Sequence, residues 1–418
     1  MKILVVTSSF PRFQGDIAGR FVFEWAQQLR ALGHDLRVLS WADSSIAPDA
    51  PQEVADFEVR RIRYAPSGYD TLFFGAGTPE NIRENPWRAG LAAPAIAAMA
   101  AGIGAQIARD RPDIIVGHWL VPAGILARLS ANFSGIPSLI IGHSGGVHLL
   151  EQLSNHSLTN PVARRLARLC ARAPMTVPTG ALAKKIGKIV GESEHAPTIL
   201  PMGFEPMKIN SCDETVPRHD WLCMGRLVAI KDVELGIRAF CAADFERPTT
   251  LHIAGDGPER ARLEALAKEV APQNPYARVE FYGTVTGEAK ARLLARCGFA
   301  LFCSKTLENG RHEGLPISFL EAASRGAIPL CAAIPGLSDY LATPAQQRLQ
   351  TRDMTQWSEA IGRLARLEPH AQLRLRQVQR ARVDALAWPA LILKWDRLLR
   401  DVVKDGEHRA NSACPMKR

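Results

Sequence analysis

The stretch EGLPISFLE, residues 313–321, sets two glutamates eight positions apart around an apolar run, with a proline between them. Pro316 suits the first turn of a helix, where its missing N–H costs nothing. Gly326 stands where such a helix would end. This spacing predicts Glu313 in the loop entering the helix and Glu321 on its second turn. The amides of Gly314, Leu315 and Ile317 would then point out of a helix N-terminus, where anions are stabilised. Two carboxylate acceptors beside an anion site fit a ligand that carries both hydroxyls and phosphates.

Residues of matching chemistry lie upstream. In MGRLVAIKD, which follows DWLC, Arg226 and Lys231 are five apart after a glycine. A planar guanidinium fork and an ammonium point charge suit a diphosphate, although the pair alone reads equally well as two surface cations. IAGDGPER supplies Gly255 and Gly257, which either leave room for a ligand or make an ordinary turn before a helix. Near the N-terminus, TSSFPRFQGDIAGRF holds Gly15 and Gly19 without a G-x-G-x-x-G, so a dinucleotide fingerprint is absent. The glycines still allow a ligand close to the backbone. His118 in VGHWL and His143 in IIGHSGG both follow strands. A lone strand-end histidine is more often structural, but Gly142, Gly145 and Gly146 open the backbone around His143.

These residues need a scaffold, and the chain alternates short β-branched runs with amphipathic stretches almost throughout. The clearest strands are KILVV, DLRVLS, DIIVGHW, SLIIGH, DWLCMG, TLHIAG, VEFYG, FALFCS and AIPLCA. Strands alternating with helices predict parallel sheets covered on both faces. The polar segment EPMKINSCDETVPRHD (205–220) breaks the rhythm and reads as a linker. The expected fold is α/β, with two Rossmann-like parallel-sheet domains facing across a cleft and ligands at the carboxyl ends of the strands. Their expected bounds are 1–205 and 206–387, with a helix at 388–404 packing back and a frayed tail at 405–418.

At 418 residues two domains are the natural prior, and 47% hydrophobic with 22% charged residues is a globular composition. A formal charge of +9 calls for an acidic partner: nucleic acid, an anionic membrane face or a phosphorylated substrate. Eight scattered cysteines without C-x-x-C fit reduced thiols in a cytoplasm. The apolar run after Lys2 is too short for a signal-peptide core. AGLAAPAIAAMAAGIGAQIA (89–108) is long enough to span a bilayer but is mostly alanine and glycine, so a buried helix is expected there.

Taken in order, GRLVAIK, AGDGP, FYG and EGLPISFLEA resemble the motifs of the large family-four group of retaining GT-B glycosyltransferases. The N-terminal half is similar through SSFPRFQGDIAGRFVFEWAQQLRALGH, HWLVPAG and GHSGG. The likeness covers roughly residues 1 to 400, and the glutamate motif is its most specific piece. It implies that Arg226 and Lys231 hold the diphosphate of a nucleotide-sugar donor. It further implies that Glu321 accepts from the ribose hydroxyls, Glu313 binds the transferred sugar and His143 faces the reacting sugar. The nucleotide sugar is a co-substrate, so no cofactor is expected. Fixed cations and amides stabilise the leaving diphosphate in such enzymes, so no metal is expected. Two departures stand out: Gly203, Phe204 and Glu205 replace a G-V-D, and PGLSD with Asp339 replaces a glycine pair and glutamate.

The acceptor side is marked by charge. From Gln152 to Gly191 there is no acidic residue, whereas Arg164, Arg165, Arg168, Arg172, Lys184, Lys185 and Lys188 all fall there. PVARRLARLCARA sets cations against Val162, Leu166 and Leu169 at helical spacing, the composition of a helix lying on an anionic bilayer or of a solvated helix on its own sheet. The overall expectation is a cytoplasmic enzyme, peripheral on the membrane face, that moves a sugar to a saccharide or lipid-linked acceptor, with no nucleic-acid partner. Alternatives are a sugar-nucleotide epimerase on the same plan, a glycosidase using Glu313 and Glu321, and an inactive partner subunit. Arg226 and Lys231 have no use in a glycosidase, and the intact motifs argue against an inactive subunit.

Overall fold

The computed structural model of the chain describes residues 1–46, 56–75, 77–155, 160–191, 196–206, 217–308, 312–341, 349 and 353–412. It divides into two compact units, Met1–Gly203 with Trp388–Arg418, and Phe204–Ala387.

In the first unit β1 (Lys2–Thr7), β2 (Asp35–Trp41), β3 (Glu58–Ile62), β4 (Ile114–His118), β5 (Ser138–Ile141), β6 (Met175–Val177) and β7 (Thr198–Ile199) make one sheet. Its order is β3-β2-β1-β4-β5-β6-β7, and every pairing is parallel. The crossovers carry α1 (Arg20–Ala31), α2 (Thr78–Glu84), α3 (Ala92–Arg109), α4 (Ile125–Ser134), α5 (Ser144–Asn155), α6 (Asn160–Ala171) and α7 (Gly180–Val190). Covered on both faces, β1 buries Ile3, Leu4, Val5 and Val6 in succession, as an internal parallel strand must. Helix α1 buries Val22, Phe23, Trp25, Ala26 and Leu29, the three-and-four spacing of a single apolar face.

The second unit repeats the plan with β8 (Asp220–Met224), β9 (Thr249–Ala254), β10 (Ala277–Gly283), β11 (Cys297–Phe302) and β12 (Ile328–Cys331). Their order is β10-β9-β8-β11-β12, again all parallel. Helices α8 (Val233–Cys241), α9 (Arg260–Val270), α10 (Gly287–Arg296), α11 (Ile317–Ser324), α12 (Met354–Ala365) and α13 (Pro369–Asp384) cover the sheet. Trp221, Phe299 and Trp357 are fully buried in its core, each worth roughly 1.5–3 kcal/mol of transfer free energy. The strand order reverses between β1 and β4 in one sheet and between β8 and β11 in the other. Those reversals open the crevices in which such sheets bind ligands.

Helix α14 (Trp388–Ser412) belongs to the first unit. Trp395 Nε1 donates to the Pro201 carbonyl at 3.2 Å, and Asp396 meets His34 Nε2 at 2.8 Å. The expectation of fraying from residue 405 is corrected, because the helix continues unbroken to Ser412. Gly406 sits close against Pro137, where a Cβ would approach its Cγ to 2.4 Å. Residues 413–418 lie outside the described residues, as do 207–216 of the segment read as a linker.

All nine strands read from the sequence are present. The sequence reading missed β3, β6 and β7, because EVRRI is a charged strand at the sheet edge and the other two have three and two residues. The expectation of a buried helix at 89–108 also needs correction. Helix α3 buries Ala95, Met99, Gly102, Ile103 and Gln106 on one face, and only 28% of its most apolar window is buried. By length and composition Pro86–Arg109 could cross a membrane, yet here its inner face packs against β2 and β3. The six described cysteines are free thiols.

Candidate active site

On the second unit the site begins where β8 ends. The chain turns at Gly225 into Arg226, and the exit of β9 runs alongside it. Gly225 N donates to the Ala254 carbonyl at 3.0 Å, and Leu227 N to the Asp256 carbonyl at 2.8 Å. A Cβ on Gly255 would lie 1.8 Å from the Gly225 carbonyl oxygen, and one on Gly257 2.4 Å from that of Leu227. Gly255 and Gly257 therefore leave room for the neighbouring loop. The space a Cβ would take is filled by the backbone of residues 225–227, which favours the reading of these glycines as the turn before α9.

Lys231 closes a short 3-10 turn (Ala229–Lys231) and reaches back under Gly225. Its Nζ lies 2.5 Å from Glu313 Oε1, with the side chains 16% and 17% exposed. The Ser304 hydroxyl, just beyond β11, donates to the other oxygen of Glu313. Next to it Lys305 pairs with Asp232 at 3.0 Å. Met224, Gly225, Arg226, Lys231, Phe302 and Ser304 line one pocket, which opens at the β8/β11 reversal. Arg226 is exposed at its rim. Burial pushes the Cys223 thiol up to about 11, so the pocket wall carries no thiolate at neutral pH.

Helix α11 follows Glu313. Pro316 is its N-cap residue, one position before the place read from the sequence, and Ile317 is the first helical residue. Gly326, at φ +80°, receives the chain at the other end. Its N–H donates to the Ala323 carbonyl at 2.9 Å and that of Ala327 to Ala322 at 3.0 Å, a Schellman closure. Glu321 lies on the second turn, and its carboxylate is held by Lys290 of α10 at 2.5 Å. The structure thus brings Arg226 and Lys231 to one pocket, sets Glu313 against Lys231 and Ser304 of its lining, and puts Gly314, Leu315 and Ile317 at the adjoining helix start. Sequence reasoning missed Ser304, Lys305 and Lys290. Ser304 and Lys305 had a usable signal, their place directly after a strand, whereas Lys290 lies within an ordinary amphipathic helix.

On the first unit, residues 8–19 fold into a compact loop after β1. Arg12 pairs with Asp16 at 2.7 Å and Asp43 at 2.5 Å, and Arg61 donates to the carbonyls of Phe10 and Pro11. Gly19 caps α1 at φ +69°, where a Cβ would lie 2.3 Å from the Ser9 carbonyl oxygen. Its role here is the tight turn. Gly15, at φ +86°, has nothing within 4 Å of its Cβ position among the described residues, which leave the loop open there.

His118 ends β4 and is fully buried, and His143 follows β5 directly beside it. His118 Nδ1 lies 3.2 Å from His143 Nε2, and the two rings are nearly parallel, with centroids 5.4 Å apart. Phe21 and Trp119 wall His143 at 4.9 and 4.8 Å. Trp119 adopts φ +65°, a costly conformation for a bulky residue and one concentrated at functional sites. Burial holds the His118 pKa well below the ordinary value, and desolvation lowers that of the half-buried His143 in the same direction.

The basic segment divides. Arg164, Arg165, Arg168, Arg172, Lys184 and Lys188 are exposed, while Ala163, Ala167 and Cys170 seat α6 on its own unit. Val162 is 61% exposed, so it does not belong to that inner face. Lys185 is corrected as a surface cation: it turns inward to Glu151 at 2.8 Å and to His148 Nδ1 at 3.1 Å. Among the described residues no group of three or more His, Cys, Asp or Glu is arranged to hold a metal ion.

Residues 18–185 match the model of a glycosyl transferase 4-like domain, and residues 215–384 that of glycosyl transferases group 1. No curated protein matches the chain. Solved structures share the fold at low identity. Sucrose-phosphate synthase from Thermosynechococcus elongatus has 18% identity and a TM-score of 0.69 over 97% of this chain and 100% of its own. Anabaena HepE in complex with UDP-glucose has 15% identity and 0.66, over 96% and 100%. The catalytic domain of starch synthase IV from Arabidopsis thaliana, bound to ADP and acarbose, has 12% identity and 0.64, over 97% and 99%. Two consecutive family matches, each on its own Rossmann-like unit, make the chain a member of the group 1, family-four glycosyltransferases of GT-B fold.

Proposed function

We propose that the chain moves a sugar from a nucleoside diphosphate donor to a saccharide or lipid-linked acceptor, retaining anomeric configuration, in cell-surface or exopolysaccharide glycan assembly. One observation carries this reading: Arg226, Lys231, Ser304 and Glu313 converge at the β8/β11 reversal, with the start of α11 adjoining and Glu321 a turn beyond. Arg226, Lys231 and the first amides of α11 hold the diphosphate. Glu321 accepts from the ribose hydroxyls and Glu313 from the transferred sugar. Without ligand, Lys231 and Glu313 satisfy one another; with donor bound, each turns to its own part of it.

Breaking the anomeric C–O bond sends its electron pair to the diphosphate, whose growing charge these fixed donors stabilise without reorganisation. Retention requires the acceptor oxygen to arrive on the face the diphosphate leaves. The departing phosphate oxygen then takes the acceptor's proton. The cations already supply the neutralising charge, so the reaction proceeds without a metal. On the first unit, His143 offers a hydrogen bond to a sugar hydroxyl. The complexes of structural neighbours with UDP-glucose and with ADP support the donor class. The exposed cations of α6 and α7 fit a place on the cytoplasmic membrane face, where a lipid-linked acceptor would lie.

The test is incubation with UDP-, GDP- and ADP-sugars, with and without oligosaccharide or polyprenyl-linked acceptors, in excess chelator. Acceptor-dependent release of one nucleoside diphosphate, with an α-linked product from an α-linked donor, is expected. An altered sugar nucleotide formed without acceptor would identify an epimerase instead, and activity restored only by added magnesium or manganese would overturn the metal-free scheme.

A further inference from the structure

His118 and His143 share one hydrogen bond between two ring nitrogens, so one of them must donate and the other accept. Burial keeps both rings neutral at neutral pH, so each carries a single N–H. Two arrangements satisfy this. In one, His118 donates from Nδ1, and His143 accepts at Nε2 and holds its own proton on Nδ1. In the other, His143 donates from Nε2, and the His118 proton sits on Nε2.

The surroundings of His118 distinguish them. Its Nε2 is buried and has no hydrogen-bond partner among the described residues. A proton there would be an orphaned buried N–H, a rare and costly condition. The Trp25 ring, packed at 72° and 4.8 Å between centroids, closes this side of His118 and brings it no hydrogen-bond partner. The first arrangement therefore prevails. It leaves His143 Nδ1 protonated, and that atom makes no hydrogen bond among the described residues and is not among the buried orphans.

We infer that His118 is a positioning residue that fixes the tautomer of His143, holding it as Nδ1–H so that it meets its ligand as a neutral hydrogen-bond donor and not as a general base. Phe21 and Trp119 keep the ring from turning over and exchanging the two nitrogens. The partner such a donor takes is an acceptor oxygen. That it is a sugar hydroxyl rests on the proposed function; the tautomer itself does not.

The experiment is long-range proton–nitrogen correlation NMR on the full chain labelled with ¹⁵N-histidine, the His143 signals being assigned through His143→Gln. At pH 7 the wild type should show His143 protonated at Nδ1 and bare at Nε2. In His118→Phe the ring should revert to Nε2–H, the tautomer histidine prefers in water. His118→Asn, whose amide NH₂ can stand in for the Nδ1–H donor, should keep the wild-type pattern. A purely structural His118 would lower stability without moving the His143 proton. Nε2–H in the wild type, an imidazolium at pH 6, or a pattern unmoved in His118→Phe would each overturn the inference, and if that variant fails to fold the wild-type spectrum alone decides. Nδ1–H in a chain that transfers no sugar would leave the tautomer standing and the proposed function refuted.

Discussion

Replacing Lys231 by methionine keeps the stem of the side chain and removes the ammonium. Glu313 is then left with the Ser304 hydroxyl as its remaining partner in the pocket. Exposed ion pairs contribute about 0–1 kcal/mol, and breaking a buried one costs about 3–5 kcal/mol. With side chains 16% and 17% exposed, the Lys231–Glu313 pair lies between, and the loss is roughly 2 kcal/mol. For a unit of this size that lowers the melting temperature by about 4–8 °C. The same change removes a charge-assisted bond to the diphosphate, worth about 1.5–3 kcal/mol, or roughly ten- to a hundredfold in affinity. Scanning calorimetry and nucleotide titration separate the two effects when Glu313→Gln is added. The double variant should regain part of the stability, because the unpaired carboxylate is gone, but none of the affinity. Wild-type diphosphate affinity in Lys231→Met would refute the assignment, and equal recovery of stability and affinity in the double variant would show that Lys231 acts only through Glu313.

Gly255→Ala should strip the protein of nucleotide binding and lower its stability, since the added Cβ meets the Gly225 carbonyl oxygen at 1.8 Å and one loop must move; a crystal structure of the variant with both loops in place would contradict this. Acid should weaken the first unit. His118 and His143 stay neutral in the fold while the unfolded chain binds protons below about pH 6.5. Stability is thus full above that pH and falls below it, by up to ~1.4 kcal/mol per pH unit for each histidine. Denaturant titrations across pH 4–7 should show a shallower slope in His118→Phe; an unchanged slope would mean that His118 takes up its proton in the fold. Reversing Arg164, Arg165 and Arg168 to glutamate should abolish binding to vesicles of anionic lipid, since each cation near such a surface contributes about 1 kcal/mol. A wild type that ignores these vesicles at low salt would leave α6 a solvated helix.

Much of this was legible in the sequence because parallel strands buried on both faces read as continuous apolar runs. KILVV and FALFCS need no context, whereas EVRRI is hidden by the charges that a sheet-edge strand carries outward. The site was half legible. Lys231, Glu313 and Glu321 are ambiguous singly and stood out by order, a glycine turn with two cations, a second glycine turn and a glutamate-flanked helix start coming in succession. Their partners were not visible, because Lys290 and Ser304 lie 31 and 9 residues from the glutamates they hold and only the fold brings them close. Gly255 and Gly257 read equally as room for a ligand or as a turn, because a missing Cβ does not say which backbone fills the gap. The pairing of His118 with His143 depends on the parallel register of β4 with β5, which local pattern does not reveal.

The division of labour between the two carboxylates is the heart of the donor reading, and calorimetric titration of a nucleoside diphosphate and of its sugar ester into three proteins tests it. Glu321→Ala should lose about tenfold or more in affinity for the free nucleoside diphosphate, as one charged hydrogen bond to ribose disappears. Glu313→Ala should bind the free nucleoside diphosphate at least as well as the wild type, because Lys231 is released to the phosphates, and should fail only with the intact sugar donor. Equal loss of free-nucleotide binding in both variants would contradict the account.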